Sequence, residues 1–225
     1  MNNLKDVNTL DIPTIPLRGK EKQLKFCSSK LLYNILLTDE RTNVGPAYWA
    51  NLINNPVNWK TVFQRNLKNI KENKLKQFNL KLLYNLIPTK RMLFLWQLND
   101  SDTCEVCNTK EDLTHAFLYC KLNMSFFDNL SIMVKTVYKV DPFFDINILL
   151  KNYKEKQIDD IITIALWSIY KMLILRNKYG KEERKKRLWF TFLKELKLRM
   201  HINNVFLKKG KKEMYNLPAT FERYF

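Results

Sequence analysis

A mainly α-helical fold follows from three properties of the sequence. Only four glycines occur in 225 residues, lysine- and leucine-rich stretches run long without breakers, and apolar residues recur at three- and four-residue spacing. Hydrophobic residues make up 46% of the chain and aromatic residues 13%, which is enough apolar material for a buried core and excludes wholesale disorder.

The elements can be placed in order. Residues 1–26 (MNNLKDVNTLDIPTIPLRGKEKQLKF) are polar, carry Pro13 and Pro16, and show neither helical nor strand periodicity, so they are expected to form an extended or disordered arm. No apolar signal-peptide core occurs in them. Order is expected from Cys27, where Ser28 or Ser29 can cap a short helix carrying Leu31, Leu32, Ile35 and Leu36. Gly45-Pro46 then punctuates the chain, Pro46 suiting a helix first turn, and Asn54-Asn55-Pro56 ends that next helix. Trp59, Val62, Phe63, Leu67 and Ile70 recur at helical spacing, as do Leu75, Phe78, Leu82 and Leu86 before Pro88. Thr89 can cap a helix holding Met92, Leu93, Leu95 and Trp96. Phe126, Phe127, Leu130, Met133 and Val137 mark another, broken at Asp141-Pro142. A long apolar helix is expected from about Ile158 to Tyr179, with Gly180 as its C′ residue. In the last long segment Trp189, Phe192, Leu193, Leu196 and Met200 share one stripe, with Arg184, Arg187 and Lys194 roughly opposite. The longest apolar run, Ile161 to Leu175, is interrupted by Lys171 and falls short of the ~20 residues a membrane span needs.

Between the Thr89-capped helix and the run from Phe126 lies DTCEVCNTKEDLTHAFLYC, Asp102 to Cys120, with three of the four cysteines and one of the two histidines of the chain. The spacing C-x2-C-x7-H-x4-C lets two thiolates reach one ion from a turn while a second pair arrives from the next element, as tetrahedral Zn2+ requires. Cys104, Cys107, His115 and Cys120 are therefore expected to hold one zinc ion. Four protein ligands leave no position for water, so the ion is expected to be structural and not hydrolytic. Cys27 and His201 stand apart from this set and receive no function. Metal-type cysteine spacing without a signal sequence fits a reducing intracellular compartment, nuclear or cytoplasmic, better than a disulfide framework. The expected organisation is thus an arm at 1–26, a helical domain over 27–215 with its metal segment at 104–120, and a tail at 216–225.

These residues resemble the zinc-binding domain at the C-terminal end of non-LTR (LINE-type) retrotransposon reverse transcriptases. LKQFNLKLLYNLIPTKRMLF, from Leu75 to Phe94, looks like the family's lysine-, phenylalanine- and leucine-rich helix followed by a proline-threonine lead-in to a second helix. In the finger the CxxC, the acidic Glu111-Asp112 and the His-x-Phe-x-x-Cys of His115, Phe117 and Cys120 match the family pattern. Tyr48, Trp49, Trp59 and the helix ALWSIYKMLILRNK are similar too. The motifs cover about a third of the chain, and looser likeness about three quarters. The resemblance implies a zinc-stabilised helical module that helps a retrotransposon protein grip RNA or DNA, in company with other polypeptide of that origin. Catalysis is not implied: a polymerase palm needs an aromatic-x-Asp-Asp hairpin, whereas Asp159-Asp160 opens an apolar helix, and the acidic clusters of a two-metal nuclease are lacking.

Charge agrees with a polyanionic partner. There are 39 basic residues against 22 acidic ones, a net charge of +17. Lys60 to Arg91 holds nine bases and one acid, and Arg176 to Lys212 fourteen bases and three acids, whereas Met92 to Leu175 sums to about −3. The finger is accordingly expected to act as a clasp between helices, with phosphate contacts from Lys68, Lys71, Lys74 and Lys76 and from Arg184, Lys185, Lys186, Arg187, Lys208, Lys209, Lys211 and Lys212. The competing class is a helical protein-interaction module whose lysines serve solubility. No lipidation signal or amphipathic anchor favours a membrane.

Overall fold

The computed structural model describes residues 14–17, 20–23, 44–53 and 56–225, so the helix expected after Cys27 lies outside the described residues. The chain divides into two units, Met1–Asn43 and Val44–Phe225. In the first unit β1 (Thr14–Leu17) pairs antiparallel with β2 (Lys20–Gln23), Thr14 opposite Gln23 and Leu17 opposite Lys20. Two residues separate the strands, a common spacing for an antiparallel pair.

The second unit is helical. α1 (Val44–Ala50) carries Pro46 in its first turn and buries Trp49, whose indole N–H donates to the Leu83 carbonyl at 2.9 Å. α2 (Trp59–Phe63) is capped by the Asn58 side chain, which accepts from the Thr61 amide, and continues into a π turn at Gln64–Lys68. α3 (Asn73–Leu83) buries Leu75, Phe78, Leu82 and Leu83 along one stripe. Leu86, expected on that stripe, is half exposed: the helix has already ended, and Asn85 at φ 53° turns the chain so that Ile87 enters the core instead.

Thr89 caps α4 (Lys90–Leu95) as expected, its hydroxyl accepting from the Met92 amide at 3.2 Å. The apolar stripe of α4 is not buried, however. Phe94, Leu95 and Trp96 are 46%, 60% and 44% exposed, and Met92 and Leu93 are half-buried; the first turn is tied down by the Lys90 amide donating to Glu111.

α5 (Lys121–Tyr138), α6 (Ile146–Leu150), α7 (Asp159–Ile174) and the 28-residue α8 (Lys181–Lys208) complete the core. α7 is buried nearly all round, from Ile161 to Met172, and runs antiparallel to α8: Trp167 meets Glu195 at one level, and Met172 shares a cavity with Leu188 at another. α7 ends at Ile174, earlier than expected. Gly180, expected as its C′ residue, has extended backbone and is the N-cap of α8. α8 buries Leu188, Phe192, Leu196 and Met200, with Trp189 and Leu193 half buried.

Residues 216–225, expected as a tail, pack on the core. Leu217 and Phe221 are buried around a 3-10 turn at Ala219–Tyr224, and the Tyr138 hydroxyl donates to the Asn216 carbonyl. Among the described residues no helix is long and apolar enough to cross a membrane.

Candidate metal centre and basic surface

Cys104, Cys107, His115 and Cys120 come together as the sequence led one to expect, with one ligand atom from each lying within 4.8 Å of the other three. This set could hold a metal ion. Two short pieces of structure build it. The first is a tight turn closed by an antiparallel bridge between Thr103 and Lys110, in which the Cys104 amide donates to Thr109 at 2.7 Å and the Asn108 amide to Cys104 at 2.9 Å. Asn108 takes the left-handed conformation at φ 54° that this reversal requires, so Cys104 and Cys107 face the same point.

The second piece is a π turn at His115–Tyr119, closed by the Cys120 amide donating to the His115 carbonyl at 2.8 Å. In an α-helix, residues five apart point roughly 140° away from each other. The wider i to i+5 turn reduces that divergence and lets the imidazole and the Cys120 thiol share one side. Asp112 starts the turn, its carboxylate accepting from the Thr114 hydroxyl and the His115 amide at 2.8 Å each. Asn123 closes it from α5, its side-chain amide donating to the Ala116 and Phe117 carbonyls.

Electrostatics at the cluster favour a cation. Burial pushes the Cys120 thiol up to about 12, and the neighbouring Cys104 and Cys107 sulfurs add to the shift. A Cys120 thiolate is therefore stabilised only where positive charge sits beside it. His115 Nδ1 lies 3.3 Å from the Thr109 hydroxyl, which leaves Nε2, buried and without a hydrogen-bond partner, as the available ligand nitrogen. The Lys121 amide donates to Cys107 Sγ at 3.4 Å, a contact that favours a charged sulfur.

The knuckle is tied to the helices by groups that local sequence could not reveal. Glu111 pairs with Arg176 at 2.7 Å, both side chains about nine-tenths buried, and also accepts from the Lys90 amide at 2.9 Å. Glu105 pairs with Lys90 at 2.6 Å and Arg184 at 3.5 Å, and its carbonyl accepts from Lys181 at 2.6 Å. The hydrogen bond from Lys90, aided by the charges of Lys90, Arg184 and Lys181, holds the Glu105 carboxyl below its ordinary range. These partners stand far from the knuckle in sequence, so no spacing rule points to them.

The expected phosphate contacts divide. Lys68, Lys74, Lys185, Lys186, Lys208, Lys209, Lys211 and Lys212 are exposed, and Lys76 is half-buried. Arg187 is exposed but pairs with Glu183 at 2.6 Å and lies 4.3 Å over the Tyr179 ring. Arg184 is a correction: its side chain is 10% exposed and faces Glu105, so it serves the knuckle and not the outer surface. Arg65 and Arg199 of the charged blocks are internal, like Arg176. Arg65 is bound by Asp159 and the Tyr153 carbonyl, and Arg199 by Glu195 and Glu72. Lys71 donates to the Glu213 carbonyl at 2.5 Å, which places the middle of the first basic block beside the end of the second.

No family model, curated protein or solved structure matches this chain.

Proposed function

We propose that this chain is a zinc-stabilised nucleic-acid-binding domain, without polymerase activity, of the kind found at the C-terminal end of LINE-type reverse transcriptases. The observation that carries the nucleic-acid reading is the Lys71–Glu213 contact. It joins two segments that are far apart in sequence: Lys71, between the exposed Lys68 and Lys74, reaches Glu213, which directly follows the exposed run Lys208 to Lys212. Arg65 and Arg199 of these blocks are neutralised inside the fold, whereas these lysines are exposed and have no ion-pair partner among the described residues. A dense cationic surface of this type attracts phosphate.

The donor set supports zinc. Thiolates held at ~2.3 Å around a tetrahedral ion stand ~3.8 Å apart. The Sγ atoms of Cys104 and Cys120 are 3.9 Å apart, and those of Cys107 and Cys120 are 4.0 Å apart. Three sulfurs and one imidazole suit zinc better than a hard cation, and a closed set serves stability and not catalysis. Reduced thiols of this kind persist in an intracellular setting. Asp159 and Asp160 support a non-polymerase reading, since the first binds Arg65 and Tyr153 and the second accepts from the Asn216 amide.

Two measurements test the proposal. Purified protein should contain one zinc per chain, and Co2+ exchanged into it should give the absorption of a tetrahedral thiolate site; metal-free, fully folded protein would end the zinc reading. Binding to single-stranded RNA and duplex DNA should weaken linearly on a log–log plot against salt. Reversing Lys208, Lys209, Lys211 and Lys212 to Glu should lower that slope by about three, at ~0.7–0.9 for each phosphate left unneutralised. No binding at low salt would favour the second reading, a protein-interaction module, which the exposed Phe94, Leu95, Trp96 and Leu98 on and after α4 support.

A further inference from the structure

A groove between α5 and the first turns of α8 has the composition of a nucleotide subsite. Ser125, Phe126 and Asn129 line it from α5, and Lys185, Lys186 and Trp189 from α8. Its volume of about 320 Å³ is at the lower end of the ~300–1,000 Å³ typical of ligand pockets. The indole of Trp189 is half-buried and fixed by packing, with its ring 6.0 Å from Phe126 and 5.3 Å from Phe192. One part is thus held rigid by the core while another part lines the groove. Ser125 and Asn129 are exposed and lie one helical turn apart. Together they offer a hydroxyl and a carboxamide that can donate and accept. Lys185 and Lys186 are exposed and have no ion-pair partner among the described residues, and Glu182 is the one acid on the lining.

We propose that this groove takes one unpaired base of a single-stranded nucleic acid, stacked on Trp189 with its phosphates at Lys185 and Lys186. The inference rests on the nucleic-acid reading above and specifies where a strand is read by its bases. A base in a duplex is stacked between its neighbours and cannot enter a groove between two helices, so the preferred ligand is single-stranded. An aromatic platform flanked by lysines recognises any base by its π face, and Asn129 and Ser125 add polar contacts at its edge. An apolar peptide would leave both ammonium groups unused, and an acidic peptide would leave the indole unused.

The test uses the full chain with a labelled oligouridylate and a duplex DNA of equal length. Trp189→Leu keeps an apolar side chain against Phe126 but removes the stacking face. It should weaken oligouridylate binding about tenfold and leave duplex binding unchanged, while Trp189→Phe recovers most of the loss. Lys185→Gln with Lys186→Gln should lower the single-strand salt slope by ~0.7 for each phosphate that no longer meets an ammonium. Independently of any variant, an oligouridylate carrying 5-iodouridine should photo-crosslink wild-type protein at Trp189. Wild-type affinity in Trp189→Leu, or crosslinks that avoid the α5–α8 groove, would overturn the subsite while leaving a nucleic-acid-binding surface elsewhere. Failure of wild-type protein to bind either probe would overturn both readings.

Discussion

Lys151 places its ammonium in the interior without a hydrogen-bond partner among the described residues, at a left-handed position (φ 55°) that ends α6. Burial lowers its pKa to about 8, with Arg65 adding to the shift and Asp159 and Asp160 opposing it. An unfolded lysine keeps its proton to about 10.5. Between about 8 and 10.5 the unfolded chain therefore binds a proton that the folded chain lacks, so this residue's contribution to stability rises with pH across that window. Below it, the charged group burdens the fold. Lys151→Met should stabilise the protein at pH 7 by on the order of 1–3 kcal/mol, and the advantage should shrink as urea titrations move to pH 10. An advantage that grows with pH would refute this account. Gly45 is constrained in the opposite sense: a Cβ there would stand 2.6 Å from the Leu83 carbonyl oxygen, which also accepts from Trp49. Gly45→Ala should cost about 1–3 kcal/mol despite the better helix propensity of alanine, read as a lower melting temperature.

Helices were legible wherever one chemical signal governed them. The Thr89 cap, the α3 stripe and the apolar run of α7 need only local spacing, and the knuckle needs only scarce residue types at ligand spacing. The π turns at Gln64–Lys68 and His115–Tyr119 were not legible, because a shift from i+4 to i+5 pairing leaves no mark in hydropathy. Gly180 was misassigned because glycine suits either end of a helix, and what decides is whether a turn intervenes after Leu175. The role of Arg199 in α8 was not legible at all. Arg199 is 1% exposed and binds Glu195 at 2.6 Å and Glu72 at 3.0 Å, while the Tyr215 hydroxyl donates to Glu72 at 2.5 Å. Glu195 also binds Lys171 and the Trp167 indole. One network thus fastens α8 to α7, to the start of α3 and to the C-terminal segment, through partners up to 143 residues apart. Arg199→Ala leaves two carboxylates poorly compensated and should cost ~3–5 kcal/mol, seen as a lower urea midpoint with unchanged slope. A loss under 1 kcal/mol would mean that the network is neutral to folding.

At the scale of the whole helical unit, α8 is held at both ends by different means. Its N-terminal turns meet the knuckle through Lys181 and Arg184, with Arg176 on Glu111 just before them, and its C-terminal half is held by Arg199 and by Asn203, which bonds Met214 and Tyr215. If the proposed ion is bound, removing it takes away the link between the turn and the π turn. Leu113, Ala116 and Phe117 keep the π turn in the core, but the turn at 103–110 buries only Cys104, so it then loosens and Glu105 and Glu111 lose their fixed positions. The consequence should therefore be graded along α8. After chelation, hydrogen exchange should accelerate over residues 102–120 and 181–190 together, while residues 199–206 keep their protection, since Glu72 and Tyr215 do not depend on the knuckle. Glu111→Gln should reproduce part of the effect near Arg176 with the metal still bound, because it cuts the link and spares the ligands. Uniform loss of protection along all of α8 would show instead that the unit folds as one cooperative block around the ion; unchanged protection at 181–190 would show that the ion pairs there transmit nothing.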